Sequence, residues 1–201
     1  MKFSLALAFA AALAAPAQVP RQNPPASGTE AVYRSAADSC ARKLEHIREN
    51  GARTRPDPAP TILSEREVNA YFAAGRVQLP KGVRRVQFTG HPGVIDTVAS
   101  IDFDQITANQ PSISPIWRAL FSGVHDVHVV AHAQGSGGRA RIHTDSVDID
   151  GVPVPRIALR YFIDKYVRPK YPNLGLDSTF TMPDRVDMAT VGDHQVTLTQ
   201  K

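Results

Sequence analysis

After Val83, the chain three times places a short glycine-containing turn between two runs of alternating apolar and polar residues. The turns fall at residues 90–93, 135–138 and 192–194. A period of two is typical of strands with one buried face, and such a turn joins neighbouring strands into an antiparallel hairpin. The chain is therefore constrained to an antiparallel sheet with one apolar face, and its helical segments make the fold class α+β.

The register of each hairpin follows from matching its apolar residues across the turn. A four-residue loop in the first two hairpins and a three-residue loop in the third put the apolar residues of both strands on one face. The predicted partners are Phe88 with Ile95, Val86 with Thr97, Ala133 with Ala140, Ala131 with Ile142, Val129 with Thr144, Thr190 with Val196, and Met188 with Leu198.

Helical signals precede the hairpins. A helix with one apolar face is predicted in the segment 29–52, where Gly51 ends it. Three prolines make residues 53–60 a linker that no helix can cross. Ser64 and Glu67 have the spacing of a capping box, which predicts a second helix to about Ala74. The α+β domain is expected to span residues 61–201.

Two further helices are predicted between the hairpins. Residues 115–121 form the shorter one. Residues 155–168 form a longer one, with Pro155 in its first turn. Apolar residues recur in the longer helix at the spacing of a stripe that faces a core. They are Leu159, Phe162, Ile163 and Tyr166.

The amino terminus has the pattern of a secretory signal peptide. Lys2 is followed by an apolar run over residues 3–14, and small residues flank a cleavage position after Ala17. The run is shorter than the roughly 20 residues that span a bilayer. We therefore expect residues 1–17 to be removed, residues 18–28 to be a flexible lead-in, and the mature protein to be periplasmic or secreted.

The net charge and the cysteine content argue against a nucleic-acid-binding protein and against a disulfide-stabilised one. The net charge of +4 is mild and the basic residues are scattered, which argues against nucleic acid as a partner. Cys40 is the single cysteine, so the exported domain has no internal disulfide. Its spacing places it on the apolar face of the first helix. A small buried hydrophobe is the favoured interpretation, and a reactive or intermolecular thiol is the alternative.

Polar side chains of the second hairpin form what we call the histidine face. The predicted register sets His128 opposite Asp145 and His132 opposite Arg141. Such a cluster can bind zinc and support a metal-dependent hydrolase, or it can be a solvated surface. We favour the solvated surface, with no metal, because this face lies opposite the apolar one and Arg141 repels a cation. The face comprises Asp126, His128, His132, Arg141, His143 and Asp145.

Two other groups of residues have a chemical alternative to a structural role. The carboxylates Asp102, Asp104, Asp148 and Asp150 occur in pairs at strand spacing and are interpreted as polar residues at strand ends, rather than as an acid and base. Basic residues accompany Tyr161, Phe162 and Tyr166 in the longer helix, which allows peripheral contact with an anionic membrane. They are Arg156, Arg160, Lys165 and Arg168.

The order of these segments resembles exported bacterial lipid-binding proteins of the LmeA and YceB type, which belong with the tubular lipid-binding (TULIP-like) superfamily. The likeness covers residues 61–199. It rests on five stretches of sequence: Ile62-Leu63-Ser64-Glu65-Arg66-Glu67-Val68-Asn69-Ala70-Tyr71, Leu79-Pro80-Lys81-Gly82-Val83, Ser122-Gly123, Asp148-Ile149-Asp150-Gly151-Val152-Pro153-Val154-Pro155, and Met182-Pro183-Asp184-Arg185-Val186. The amino-terminal helix and the proline linker depart from the short members of this group.

The resemblance implies a curved antiparallel sheet wrapped on a long helix, with an apolar groove for acyl chains between them. It implies a non-enzymatic lipid-binding or lipid-carrier protein with no catalytic residue and no cofactor. The alternative is an envelope interaction or scaffold protein in which the same residues fill a core. The candidate groove residues are Phe88, Ile101, Phe103, Trp117, Phe121, Leu159, Phe162 and Phe180.

Overall fold

The computed structural model of the chain describes residues 28–107, 122–168 and 175–201. The helices are α1 (Gly28–Gly51), α2 (Glu65–Ala73), α3 (Phe103–Thr107) and α4 (Arg156–Phe162), and a π-helical turn (Ile163–Val167) continues α4. The strands are β1 (Thr61–Ser64), β2 (Val83–His91), β3 (Val94–Asp102), β4 (Val124–Ser136), β5 (Arg139–Ile149), β6 (Val152–Pro153), β7 (Asp177–Thr181), β8 (Val186–Gly192) and β9 (Gln195–Gln200). The predicted signal peptide, residues 18–27 of the predicted lead-in and the predicted helix over residues 115–121 lie outside the described residues.

The strands form one antiparallel sheet, which confirms the α+β class. The order β1-β9-β8-β4-β3-β2 runs across the sheet, and β5 pairs with β4, β6 and β7. Strand β4 is long enough to pair with two different strands along the same edge. It pairs with β3 up to His132, and with β8 at Gln134 and Gly135. Strand β5 occupies the opposite edge of β4.

All three hairpins close with two-residue loops, so the predicted loop lengths are wrong. The first hairpin pairs His91 with Val94, and the second pairs Ser136 with Arg139. In these two hairpins the predicted register is off by two residues near the turn, which keeps each side chain on its predicted face. Gly137 and Gly138 both have positive φ, of 60° and 74°, which suits the tight turn that matches the twist of the strands.

The third hairpin shows the larger error. Its last pair is Gly192 with Gln195, and Leu198 lies opposite Ala189 rather than opposite Met188. The register is thus off by one residue, and a shift of one exchanges the two faces of a strand. Met188, predicted to share the buried face with Leu198, is 48% exposed.

Tertiary contacts explain the short loop of the third hairpin. His194 occupies its second loop position with φ 51°, a conformation that is uncommon without glycine. The backbone N–H of His194 donates to Gly90, its carbonyl accepts from the N–H of Glu65, and its Nδ1 atom lies 2.7 Å from the Glu65 carboxylate. These bonds to β2 and α2 offset the cost of the backbone conformation, and they are invisible to a local analysis of the turn.

A bulge in β5 changes which residues of the histidine face meet. Ala131 pairs with Thr144 and Val130 pairs with Ser146, so Asp145 is the extra residue. The observed partners are His128 with Asp148 and His132 with His143, and the predicted pairs of His128 with Asp145 and of His132 with Arg141 are therefore wrong.

The two amino-terminal helices fill the inner face of the sheet. The capping box is confirmed, with Ser64 and Glu67 each accepting a hydrogen bond from the backbone N–H of the other. In α1, Cys40, Leu44 and Ile47 are buried in the same core as the strands. Burial raises the pKa of the Cys40 thiol to about 12, with a further contribution from the nearby Glu67 carboxylate. The favoured interpretation of Cys40 as a small buried hydrophobe is confirmed.

The predicted core-facing stripe of the later helix is only partly buried, with Phe162 packed against the core. The α-helix ends at Phe162, continues as the π-turn, and contains no buried residue. Leu159, Phe162 and Ile163 are half-buried. Because α1 and α2 already pack on the apolar face of the sheet, the long helix in this core is α1 rather than the segment over residues 155–168. Within the described residues, no helix combines the length and the apolar character needed to cross a bilayer.

Candidate functional site

The inner face of the sheet has a sealed half. Phe88, Ile101 and Phe103 are each less than 10% exposed and belong to one continuous core. Phe88 lies edge-on to Phe72 of α2, with ring centroids 5.0 Å apart. A cavity of about 30 Å³ beside Phe88 is far too small for an acyl chain. These three candidate groove residues are packed in the core.

The other half of the inner face is only partly covered. Phe162 and Phe180 are partly buried against the edge of the core, and so are Val147 and Ile149 of β5. Leu159 is half-buried on the same short helix as Phe162. The structure thus separates the candidates into a packed set and a partly exposed set, while Trp117 and Phe121 lie outside the described residues.

The end of the molecule that carries α4 exposes large apolar side chains among basic ones. Ile157 is 82% exposed, Val152 is 67% exposed and Tyr161 is 45% exposed. Ile157, Arg160 and Tyr161 have the i, i+3, i+4 spacing of one helix face. An apolar helix face with arginines beside it is typical of a segment that contacts an anionic membrane.

The other two basic residues of this segment have partners on their own helix. Lys165 donates a hydrogen bond to the Tyr161 hydroxyl at 2.9 Å, and its ammonium lies 5.3 Å from the centre of that ring. Arg168 forms an ion pair with Asp164 at 2.8 Å.

Histidine–carboxylate pairs cover the outer face and the turns of the sheet. Six of the seven histidines lie within 4 Å of an acidic oxygen. His128 has one on each side, with Nε2 2.7 Å from Asp96 and Nδ1 2.9 Å from Asp148. Two acceptors require that both ring nitrogens carry hydrogen, so the imidazolium form is favoured.

The pKa of His128 reflects two opposing effects. Partial burial lowers it, but the hydrogen bonds to Asp96 and Asp148 outweigh burial and raise the pKa above its ordinary value. His125 is held in the same way between Asp150 and the carbonyl of Ser122, and these hydrogen bonds also raise its pKa.

A second histidine pair spans the β4–β5 ladder. His132 lies directly across from His143. Nδ1 of His132 is 2.7 Å from Asp145, and Nδ1 of His143 contacts Asp177 of β7. The carboxylates fix both rings at Nδ1, and Nε2 of His143 lies 3.8 Å from Asp145 as well. Side by side, the two imidazoles form one row of the histidine face.

A cleft of about 590 Å³ contains this row. Its other polar members are not predictable from local sequence, because they come from strands whose pairing is set over long distances along the chain. Gln134 lies across from both Arg141 of β5 and Thr190 of β8, and Arg141 lies across from Thr179 of β7. The lining side chains on this face are His132, Gln134, Arg141, His143, Asp177, Thr179, Met188 and Thr190.

The histidine face does not have the arrangement of a metal centre. Within the described residues, no group of three or more His, Cys, Asp or Glu side chains is placed to hold a metal ion. The carboxylates bind the histidines instead. Asp126, the remaining acidic member of the face, is exposed at the start of β4.

The paired carboxylates each have a separate structural role. Asp102 is buried rather than on the polar surface, which corrects its predicted position, and Arg84 binds it at 2.7 Å. That hydrogen bond lowers its pKa. Asp104 accepts the backbone N–H of Gly123, while Asp148 and Asp150 bind histidines.

Comparisons with protein-family models, with curated proteins and with solved structures find no match to this chain.

Proposed function

We propose that this is an exported, non-enzymatic lipid-binding or lipid-carrier protein, and that acyl chains lie against the partly covered half of its inner sheet face, beside α4. The observation that carries the proposal is the partial exposure of Phe162 and Phe180 at the edge of an otherwise packed core. Large apolar side chains in such a position are typical of ligand-binding surfaces.

Hydrophobic burial supplies the affinity. Each methylene group transferred from water to an apolar surface contributes about 0.8 kcal/mol. A chain that lies along Val147, Ile149, Phe162 and Phe180 contacts side chains from two strands of the sheet and from α4. The sealed half around Phe88 does not take part, because its side chains are already packed. Leu159, Phe162 and Phe180 are therefore the groove residues on which the proposal rests.

The exposed surface of α4 gives the proposed carrier a way to meet a membrane. Ile157 inserts among the acyl chains, and Arg156 and Arg160 bind anionic headgroups. This places the partly covered half of the sheet near the source of the lipid. The pattern matches that of interfacial helices, in which a small apolar face and basic residues act together.

The test is a titration of the mature protein with a phosphatidylglycerol that carries a fluorescent acyl chain. Phe162→Ala is expected to weaken binding strongly while costing less free energy of unfolding than the roughly 3–5 kcal/mol typical of a fully buried phenylalanine. Phe88→Ala is the matched control, because it truncates the same side chain in the sealed half. It is expected to destabilise the fold and to leave binding by the remaining folded protein unchanged.

Two results contradict the proposal. The first is the absence of saturable lipid binding by the wild-type protein. The second is a loss of binding that follows the loss of stability equally in Phe162→Ala and Phe88→Ala. Either result favours the alternative, an envelope interaction or scaffold protein with a filled core.

A further inference from the structure

We propose that the cleft on the histidine face binds a phosphate monoester, held by the guanidinium of Arg141 and the Nε2 atoms of His132 and His143. This site lies on the face opposite the proposed lipid surface and does not depend on it. The cleft, of about 590 Å³, is within the range of roughly 300–1,000 Å³ that is usual for small-molecule sites.

The histidines are oriented for an outside ligand. Asp145 and Asp177 occupy the Nδ1 atoms of His132 and His143, so Nε2 is the ring nitrogen left for a ligand, although Nε2 of His143 also lies 3.8 Å from Asp145. When both ring nitrogens carry hydrogen, Nδ1 donates to its carboxylate and Nε2 can donate to a ligand. The ligand therefore meets two donors in one row, supplied by neighbouring strands.

Arg141 supplies the third donor group. It lies two residues from His143 along β5 and is exposed. Its guanidinium forms no hydrogen bond or ion pair with any residue in the part of the chain that the structure describes. The guanidinium has five N–H groups in a planar fork, which binds phosphate through two oxygens at once. Gln134 and Thr179 flank it and offer further polar atoms.

Charge and shape together favour a phosphate monoester. When each imidazole carries two hydrogens, the two rings and Arg141 set three positive charges against the carboxylates of Asp145 and Asp177, and binding is therefore tested at acid pH. The donors come from two rows of the sheet, so they surround a tetrahedral group with three free oxygens better than a planar carboxylate with two. No Phe, Tyr or Trp side chain lies among the described lining residues, which gives little support for a base or a sugar ring stacked there.

The test is calorimetric titration of the mature protein with monoethyl phosphate at pH 5.5, near the acid end of the range in which imidazoles titrate. The wild type is expected to bind monoethyl phosphate about tenfold or more tightly than propionate. Arg141→Gln is expected to weaken binding about tenfold, and His132→Gln and His143→Gln also weaken it. In NMR spectra of the imidazole nitrogens, the Nε2 signals of both histidines shift on binding.

Arg139→Gln is the matched control, because Arg139 is an exposed arginine two residues away on the same strand and outside the lining of the cleft. It is expected to change affinity by less than about twofold. Unchanged thermal midpoints in all variants establish that the fold is intact. Vesicles containing phosphatidic acid form a second arm. Binding of monoethyl phosphate identifies a soluble ligand, and binding to the vesicles alone identifies a lipid headgroup.

Three outcomes overturn the proposal. One is no saturable binding in either arm. Another is equal affinity for propionate and monoethyl phosphate, which shows that the donors do not select a tetrahedral anion. The last is an equal loss in Arg139→Gln and Arg141→Gln, which shows a general attraction of the basic surface rather than a site.

Discussion

The side-chain amide of Asn50 donates a hydrogen bond to Oε1 of Gln200 at 2.8 Å, and both side chains are buried. Asn50 lies at the end of α1, and Gln200 is the last residue of β9. The Gln200 amide in turn donates to the carbonyls of Ile47 and Asp184. The amino-terminal helix is thereby joined to the last strand through polar side chains that are almost completely buried.

Removing one partner of this pair is expected to destabilise the whole protein. Gln200→Leu removes the acceptor of one Asn50 amide N–H and the donor to the carbonyls of Ile47 and Asp184, while Asn50 keeps its hydrogen bonds to Asp57, and the expected cost is about 1–3 kcal/mol. Urea unfolding measures the change. Glu49→Gln, an exposed change next to Asn50, is the control and is expected to stay within about 0.5 kcal/mol. Equal stability of Gln200→Leu and the wild type contradicts the prediction.

Glu67 is expected to make the free energy of unfolding decrease at acid pH. Burial opposes its ionisation, but hydrogen bonds from Lys43, Ser39 and Ser64 outweigh it and lower its pKa to about 2. A lowered pKa stabilises the fold above the unfolded value of 4.5, and this contribution is lost as the pH falls toward 2. By linkage the contribution is about 3 kcal/mol for this side chain, which is only 11% exposed.

The measurement is the free energy of unfolding between pH 6 and pH 2. Glu67→Gln is expected to be less stable than the wild type at pH 6 and to show a shallower decrease toward pH 2. Glu45→Gln, at a more exposed glutamate of α1, is the control and is expected to keep the wild-type slope. A Glu67→Gln variant with an unchanged slope refutes this origin of the acid dependence.

Local signals identified the elements of this fold but not their registers. The capping box at Ser64 and the apolar face around Cys40 act within one helix, so the sequence shows them directly. The loop of the third hairpin depends on bonds from His194 to Glu65 and Gly90, which are far away in the chain. The bulge at Asp145 is likewise not visible in the local sequence, because it is defined only by the pairing of two strands.

The same distinction applies to the candidate sites. The alternation of polar residues was sufficient to place His128, His132 and His143 on one outer face. The cleft was not predictable, because it arises where β4 changes its partner from β3 to β8. Whether an aromatic side chain is packed or partly exposed depends on which helix reaches it. Phe88 and Phe162 therefore look alike in the sequence and differ in the structure.

The hydrogen bonds of His128 predict a second pH dependence of stability, at alkaline pH. Because the hydrogen bonds to Asp96 and Asp148 raise its pKa, its stabilising contribution is fully present below the ordinary histidine pKa of about 6.5. That contribution is lost as the pH rises through the higher value of the folded state. The thermal midpoint is therefore expected to decrease on going from pH 6 to pH 8.5.

His128→Gln is expected to reduce that decrease, since glutamine cannot become charged between the two carboxylates. His46→Gln is the control, because His46 is exposed on α1 and away from the sheet. A wild-type thermal midpoint that rises toward pH 8.5, or an equal effect of the two substitutions, is incompatible with this assignment.

Gly135 marks the point where β4 meets β8, and it is expected to tolerate no side chain. A Cβ atom there lies 2.7 Å from the Cβ of Ala189 and 2.9 Å from the sulfur of Met182. Gly135→Ala therefore forces the two strands apart, at a cost of roughly 1–3 kcal/mol. Gly137→Ala is a less informative comparison because of its positive φ, so Ser136→Ala, in the next position of β4, serves as the control. Thermal unfolding of both variants tests the prediction.

The exposure of Ile157 predicts that α4 is the segment that contacts a membrane. Its side chain is 82% exposed and shares a helix face with Arg160. Transferring an isoleucine from water to an apolar environment is worth about 1.5–3 kcal/mol, so Ile157→Asp is expected to weaken binding to vesicles containing phosphatidylglycerol by about tenfold or more. Arg160→Gln is expected to weaken it less and to reduce its sensitivity to salt, because charge attraction to the surface is screened.

Ile62→Asp is the matched control, because Ile62 is an exposed isoleucine on β1, far along the chain from α4. Sedimentation with vesicles measures the bound fraction, and pure phosphatidylcholine vesicles are expected to bind the wild type weakly because they lack the anionic charge that attracts the arginines. If Ile62→Asp and Ile157→Asp lower binding equally, the contact depends on general apolar exposure. If neither lowers it, α4 is not the segment that meets the bilayer.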